Sequence, residues 1–282
     1  MNSPIIIIGM HRSGTTLVAR ILESMGLFLG AYKDENCESN VFISINDWIL
    51  RISGGSWDTP DAIDRLLGSD MARRIILNHI GTTLQSPHIL RYSGLKHYRK
   101  LSKKMDGNFH WGWKDPRNTI TLPIWLDLFP DARIIHVCRH GVDVADSLKK
   151  RQRRWYQRAM FPPRYRRLRY LLRPFGGHYL RSVGFQNHAE GIKLWAAYMQ
   201  KAEASLLALG NQSMVLRYED LIREPENNIQ LLLDFCHLAK DERNLSKALG
   251  IIDRSRAFAY EGHAELQALA SANSELLAQY GY

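Results

Sequence analysis

Apolar residues along this chain come in two textures. Short apolar-rich runs stand at Ile5–Ile8, which is unbroken, across Ala132–Cys138, and at His110–Lys114 and Ser213–Tyr218. Such runs, bounded by turn residues, predict strands, the first three of them buried. Between them, apolar positions recur three and four apart. Leu17, Val18, Ile21, Leu22 and Met25 predict a helix that opens at Thr15-Thr16 and stops at Gly26. The same spacing predicts helices over Val41–Leu50, 69–85, Thr121–Leu128, Ala189–Leu209 and from Glu219 to about Leu238. Another helix opens at Gly141 and runs through Ser147, and the tail 241–282 reads as helical and alanine-rich. Gly54–Pro60 is a turn cluster with Asp61 expected to cap the next helical stretch, whereas His88–Lys104 fits neither period.

Strands separated by helices predict an α/β fold, a single domain over residues 1–282 with a parallel sheet and helices on both faces. Ligands of such sheets sit at the carboxyl ends of the strands. The loops after Ile8, Lys114, Cys138 and Tyr218 are therefore expected to meet in one cleft.

The first of these loops carries the clearest chemistry. Ile5 to Leu17 reads IIIIGMHRSGTTL, which is strand, glycine loop, helix. That order aims backbone N–H groups and the positive end of a helix at one spot, as a phosphate requires. The spacing Gly9-x4-Gly14-Thr15-Thr16 is of P-loop type, but Thr15 stands where a nucleotide kinase has lysine, and the cation comes earlier as Arg12. Lys114, Arg117 and Arg139 bring cations to two further loops. The strand ending in Arg139 offers no carboxylate at the place where a kinase would hold magnesium. Together these features point to a polyanion with phosphates at two places and to no metal.

Composition sharpens the picture in one place. The 282 residues are 45% hydrophobic and 23% charged, as in an ordinary globular domain. The net charge of +10 is local: Lys149–Arg181 holds twelve Lys or Arg and no acid, which leaves 26 basic against 28 acidic residues elsewhere. Residues 149–188 thus read as a basic helical insertion or lid. Its expected partner is an acidic acceptor or a membrane surface, with nucleic acid disfavoured. Cys37, Cys138 and Cys236 are too scattered for a metal site or a disulfide framework. No apolar run approaches the ~20 residues that span a bilayer, and the first strand leaves no room for an export signal. The expected setting is the cytoplasm, with a peripheral membrane location as a variant.

Four segments taken in order resemble the sulfotransferases that use 3′-phosphoadenosine 5′-phosphosulfate (PAPS), in particular their bacterial branch. Arg12-Ser13-Gly14-Thr15-Thr16 is similar to the family's 5′-phosphosulfate loop. Arg139 to Ser147 is similar to its 3′-phosphate motif R-x-P-x-D-x-x-x-S, while Lys114-Asp115-Pro116-Arg117 and Tyr218-Glu219-Asp220-Leu221 resemble the KDPR and YEDL elements of bacterial members. The resemblance implies that Arg12, Ser13, Gly14, Thr15 and Thr16 hold the phosphosulfate, that Arg139 and Ser147 hold the 3′-phosphate, with Tyr218 beside them, and that Lys114 faces the sulfonate. It implies PAPS as co-substrate and a small-molecule, carbohydrate or lipid acceptor bearing a hydroxyl or amine.

For the base that takes the acceptor's proton, Glu38 comes first because Glu38-Ser39-Asn40 resembles the family's step in that loop. Glu35, Asp115 and His110 are the other candidates. Glu219 and Asp220 read equally as helix caps, and Trp57 equally as core. Departures are Gly141 in place of the motif's proline, which is a looser start to the helix, Leu17 where relatives stack an aromatic on adenine, and no C-terminal R-K-G element on the 3′-phosphate, for which Arg254 or Arg256 is the available substitute. Two other functions fit parts of the pattern: a P-loop kinase, and a non-enzymatic protein docking anionic lipid or nucleic acid through 149–181.

Overall fold

The computed structural model describes residues 3–102, 109–160 and 186–282. Four parallel strands, β1 (Ile5–Ile8), β2 (Gly112–Lys114), β3 (Arg133–Cys138) and β4 (Ser213–Arg217), lie in the order β2-β1-β3-β4. Ile6 pairs with Trp113 on one side and Ile134 on the other, so β1 is central, and Val137 pairs with Leu216 further out. A strand flanked on both edges and covered on both faces has no wet side, which is why it is four isoleucines.

The helices of the first half are α1 (Thr15–Ser24), α2 (Asn40–Ile52), α3 (Ile63–Leu67), α4 (Asp70–Gln85), α5 (Leu90–Ser102) and α6 (Asn118–Leu128). The second half adds α7 (Gly141–Met160), α8 (His188–Leu206), α9 (Tyr218–Arg223), α10 (Pro225–Cys236), α11 (Glu242–Gly250), α12 (Ala264–Ala272) and α13 (Ser274–Gln279). No described helix is long and apolar enough to cross a membrane.

Successive strand residues face opposite ways, so the isoleucines of β1 feed two cores. Ile6 and Ile8 join Trp113 of β2 and Phe42, Trp125, Val144, Leu148 and Trp195 from α2, α6, α7 and α8. Ile5 and Ile7 join Val18, Ile21, Leu22, Ile229 and Leu233, from α1 and α10. Helix α1, which follows β1, therefore covers one face, and α7, which follows the neighbouring β3, covers the other. Where adjacent strands send their helices to opposite faces, a crevice opens at their carboxyl ends. The candidate site lies there.

Several boundaries differ from expectation for local reasons. Helix α6 starts at Asn118, three residues early, because the Asp115 carboxylate accepts from the Arg117 N–H (2.9 Å) and winds the turn straight into the helix. Asp61 is not a cap. It lies inside a single 3-10 turn, Pro60–Ala62, and Ser69 caps α4 by accepting from the Ala72 N–H at 3.4 Å. The segment after β4 is two helices because Pro225 has no N–H with which to continue the first. The ambiguous stretch 88–104 contains α5, interrupted at Gly94 (φ 60°, ψ 171°). Gly141, where the motif has proline, packs against the Trp195 ring; a Cβ there would come to 2.8 Å of it. Lys149–Met160 simply continue α7, and the rest of the basic segment up to residue 185 falls outside the described residues.

Candidate active site

The loop from β1 to α1 is held in a costly conformation. Gly9 (φ 142°) runs so close to β3 that a Cβ would strike the Val137 carbonyl, and its N–H donates to Thr119 Oγ1 at 2.9 Å. Arg12 adopts φ 76°, a left-handed value that costs a non-glycine residue about 1–2 kcal/mol. Gly14 (φ 100°) is the N-cap of α1 and leaves the helix without a side-chain cap. The first-turn N–H groups of α1 are thus available to an anion. The Ser13 hydroxyl beside them is buried and has no partner.

Two elements join this loop on its phosphate side. Arg12 Nε donates to Ser147 Oγ at 2.8 Å, linking the loop to the second turn of α7. Arg139, at the end of β3, pairs with Asp143 through Nη2 (3.1 Å), donates to the Arg12 carbonyl (3.4 Å) and lies 4.7 Å over the Tyr218 ring. Tyr218 in turn packs flat against Gly14, where any Cβ would collide with it. Arg139 Nε is buried without a partner, a donor left open in a site otherwise tied down. Burial and the charges of Arg139, Arg256 and Arg154 together lower the pKa of Arg12, so cations converge here beyond what their carboxylates offset.

The segment of Arg254 and Arg256 also closes on this side, through its backbone. Asp143, buried at the start of α7, accepts the backbone N–H groups of Ala259 (3.2 Å) and Tyr260 (2.9 Å). Arg139 Nη2 donates to the Arg256 carbonyl at 2.5 Å. Tyr260 stacks on His140 with ring centroids 4.2 Å apart. Residues 253–260 thus strap over the Arg139 corner. Glu219 takes neither role expected of it in full: it makes no cap bond to α9, and its carboxylate accepts the His140 N–H (2.9 Å) and the Tyr282 hydroxyl (3.2 Å).

The other side of the cleft is a buried ionic network. Lys114 Nζ, 1% exposed, lies 2.8 Å from Glu38 Oε1 and 3.4 Å from Thr16 Oγ1. Arg117 holds Glu38 Oε2 (3.1 Å), Asp115 (2.8 Å) and Asp47 (2.5 Å). Burial works against the Arg117 charge, but Asp115, Asp47 and Glu38 outweigh it and raise its pKa. Burial raises the pKa of Glu38, with Lys114 and Arg117 opposing. Asn46 of α2 closes the network, giving its amide to Asp115 and to Asn118 at 2.8 Å each and accepting from Thr121 and Trp125.

Arg12, Ser13, Gly14, Thr15, Thr16, Glu38, Lys114, Arg139, Ser147 and Tyr218 therefore line one crevice. The other base candidates are less well placed. His110 precedes β2 and lies at the amino end of the sheet, where Arg133 and His237 bear on it, because a residue before a parallel strand cannot reach the carboxyl end. Asp115 is fully buried under Arg117 and Asn46, and Glu35 is exposed on the outer loop. What the sequence reading missed is Asn46, Asp143 as an anchor, the 253–260 strap, and His11. The His11 ring meets Trp57 edge-on at 4.8 Å, and its Nε2 is buried without a partner.

The sulfotransferase family model, Sulfotransfer_3, matches residues 4–242. Among solved structures, a sulfotransferase domain from the curacin biosynthetic pathway shares the fold with a TM-score of 0.52 at 16% identity, covering 96% of this chain and 98% of that one. A sulfotransferase domain from the Synechococcus PCC 7002 olefin synthase gives 0.52 at 18% identity, covering 100% and 95%. No curated protein matches in sequence.

Proposed function

The chain belongs to the sulfotransferase family, and from that premise we propose that it moves the sulfuryl group of PAPS to a hydroxyl or amine of an acceptor. The observation that carries this reading is the Arg12–Ser147 hydrogen bond beside Arg139. It joins two anion-binding elements, the loop after β1 and the helix after β3, so that one nucleotide phosphorylated at both ends spans them. The open donors fit such a ligand: the unpartnered Ser13 hydroxyl and uncapped α1 N–H groups for the 5′ end, and Arg139 Nε with Ser147 for the 3′ end.

The acceptor oxygen or nitrogen attacks sulfur while the bond from sulfur to the bridging phosphate oxygen breaks. The electron pair leaves on that oxygen, and adenosine 3′,5′-bisphosphate departs. Arg12 and the α1 amides stabilise the charge that develops there. Lys114 turns from Glu38 to the sulfonate oxygens. Glu38, relieved of one cation and raised in pKa by burial, takes the acceptor's proton while Arg117 keeps it oriented. This chemistry belongs in the cytoplasm, where three buried free thiols stay reduced. The acceptor is a small metabolite, carbohydrate or lipid.

The test is transfer of label from 35S-labelled PAPS to a mixed panel of alcohols and amines. Labelled product that forms with the native protein and falls by about 10²–10³ in Arg12→Ala supports the reading. Label that stays in PAPS, or transfer indifferent to Arg12, contradicts it.

A further inference from the structure

The turn that carries Arg12 has a second corner. The Met10 carbonyl accepts the Ser13 N–H at 3.1 Å, so His11 and Arg12 are the two central residues of a four-residue turn. Arg12, at φ 76°, occupies the left-handed place that a type II turn usually gives to glycine. The two corner side chains part there. Arg12 reaches Ser147 at 2.8 Å, whereas the His11 ring meets Trp57 edge-on with centroids 4.8 Å apart. The proposed chemistry uses Arg12 and gives His11 nothing to do.

His11 belongs to the sulfonate side of the cleft. Burial and then the charges of Arg151, Arg117, Lys114 and Arg12, in that order, lower its pKa well below the ordinary value. Arg12 is its neighbour in sequence, yet Arg117 and Lys114 weigh more on the ring. Those two hold Glu38, and Lys114 is the cation that turns to the sulfonate. The His11 ring is therefore neutral at pH 7 beside the group that would carry the reacting sulfur. Its Nε2 is buried and bonds to no protein group among the described residues. Ser13 Oγ, two residues on, is in the same condition. A buried polar atom left unpaired is costly, and two on one short loop fit a ligand that satisfies both.

We propose that His11 is a sulfonate-binding residue, its Nε2–H donating to a sulfonate oxygen that the ring shares with Lys114. The inference rests on the sulfuryl-transfer reading and adds to it a contact that the bisphosphate product cannot make. A sulfonate oxygen carries no proton and can only accept, so the bond requires the single proton of the neutral ring on Nε2 and leaves Nδ1 bare. A neutral imidazole can serve as the electrophile toward an oxygen. It also suits a place already crowded with cations, since it adds a donor without adding a charge. With its proton on Nε2, the ring leaves the acceptor's proton to Glu38.

The test compares a nucleotide that has a sulfonate with one that lacks it. Native protein, His11→Phe and His11→Gln are titrated calorimetrically, without acceptor, with PAPS and with adenosine 3′,5′-bisphosphate. Phenylalanine keeps a ring against Trp57 and removes the donor, and glutamine offers an amide N–H in its place. His11→Phe is expected to bind PAPS about tenfold more weakly, with the bisphosphate unchanged within roughly twofold, and His11→Gln to recover part of the loss. In 15N NMR spectra of the PAPS complex, the His11 signals, identified by their absence in His11→Phe, should show the proton on Nε2. Unchanged PAPS affinity in His11→Phe would overturn the contact. Equal weakening of both nucleotides would also overturn it, by making His11 a prop for the turn. A bare Nε2 with the proton on Nδ1 would overturn the donor role and make His11 a rival to Glu38 for the acceptor's proton. Native protein that binds neither nucleotide would overturn the sulfuryl-transfer reading itself, and this contact with it.

Discussion

Arg12 lies in the loop after β1 and Lys114 reaches the start of the helix that follows it, yet the two are held in opposite ways. Lys114 is enclosed, with Glu38, Arg117, Asp115 and Asn46 forming an ionic network that is almost wholly out of water. Arg12 is only partly enclosed, keeps part of its side chain in water, and leans on one neutral hydroxyl, that of Ser147. A buried network holds its geometry before any ligand arrives, but it is fragile because each charge depends on the others. A partly solvated cation with a weak partner contributes little to the fold and has its charge available for a ligand. The same cleft thus divides into a half that stability depends on and a half that stability can spare.

Mutations should separate the halves. Asp115→Ala leaves Arg117 short of a partner and Asn46 with an unmet donor, and is expected to cost about 3–5 kcal/mol by urea denaturation. A loss below ~1 kcal/mol would show that the buried half is not the structural one. Arg12→Ala is expected to do the reverse, with a stability change within about 0.5 kcal/mol but kcat/KM lower by roughly 10²–10³.

A pH series probes the frame behind both. His136 on β3 is buried and its pKa is lowered to about 4 by desolvation. Its folded pKa lies below the unfolded value of ~6.5, so the unfolded chain takes up its proton first as pH falls. The stability from keeping it neutral is complete above about pH 6.5 and shrinks toward pH 4, a loss of about 2 kcal/mol between pH 7 and 5. Urea midpoints of the native protein should show this fall, and His136→Gln should lack that part of it. A parallel pair of curves would mean His136 is not the group responsible. The smallest effect is expected at the strap. Asp143→Asn keeps the shape but weakens the hold on Arg139 and on residues 259–260, which should weaken adenosine 3′,5′-bisphosphate about tenfold with the fold intact. Unchanged affinity would separate the strap from the nucleotide.

The parts of this arrangement that were readable in sequence share a cause. Strands β1 and β3 are covered on both faces, so they are written as apolar runs, and the loops after them need glycine and cations that stand out against such runs. Lys114 was legible as a strand-end cation and Glu38 only through resemblance; 76 residues apart, the two come to 2.8 Å. Gly141 looked like a looser proline, whereas Trp195 packing on its Cα leaves no room for a ring. The strap was illegible because it is held through the Arg256 carbonyl and the N–H groups of Ala259 and Tyr260, which every sequence has. His11 was hidden inside the glycine loop as a filler position, and only its contact with Trp57, 46 residues later, gives it meaning. For the reserve candidates Asp115 and His110, sequence alone says nothing of which end of the sheet a side chain reaches or whether another residue covers it.

The most direct measurement is calorimetric titration of the native protein and Arg139→Ala with adenosine 3′,5′-bisphosphate and, separately, with ATP–Mg²⁺. Tight binding of the bisphosphate, weakened about 10- to 100-fold in Arg139→Ala through loss of a charged hydrogen bond, is the predicted result. Binding of ATP–Mg²⁺ with no response to the bisphosphate would contradict the account and make the crevice that of a phosphotransferase.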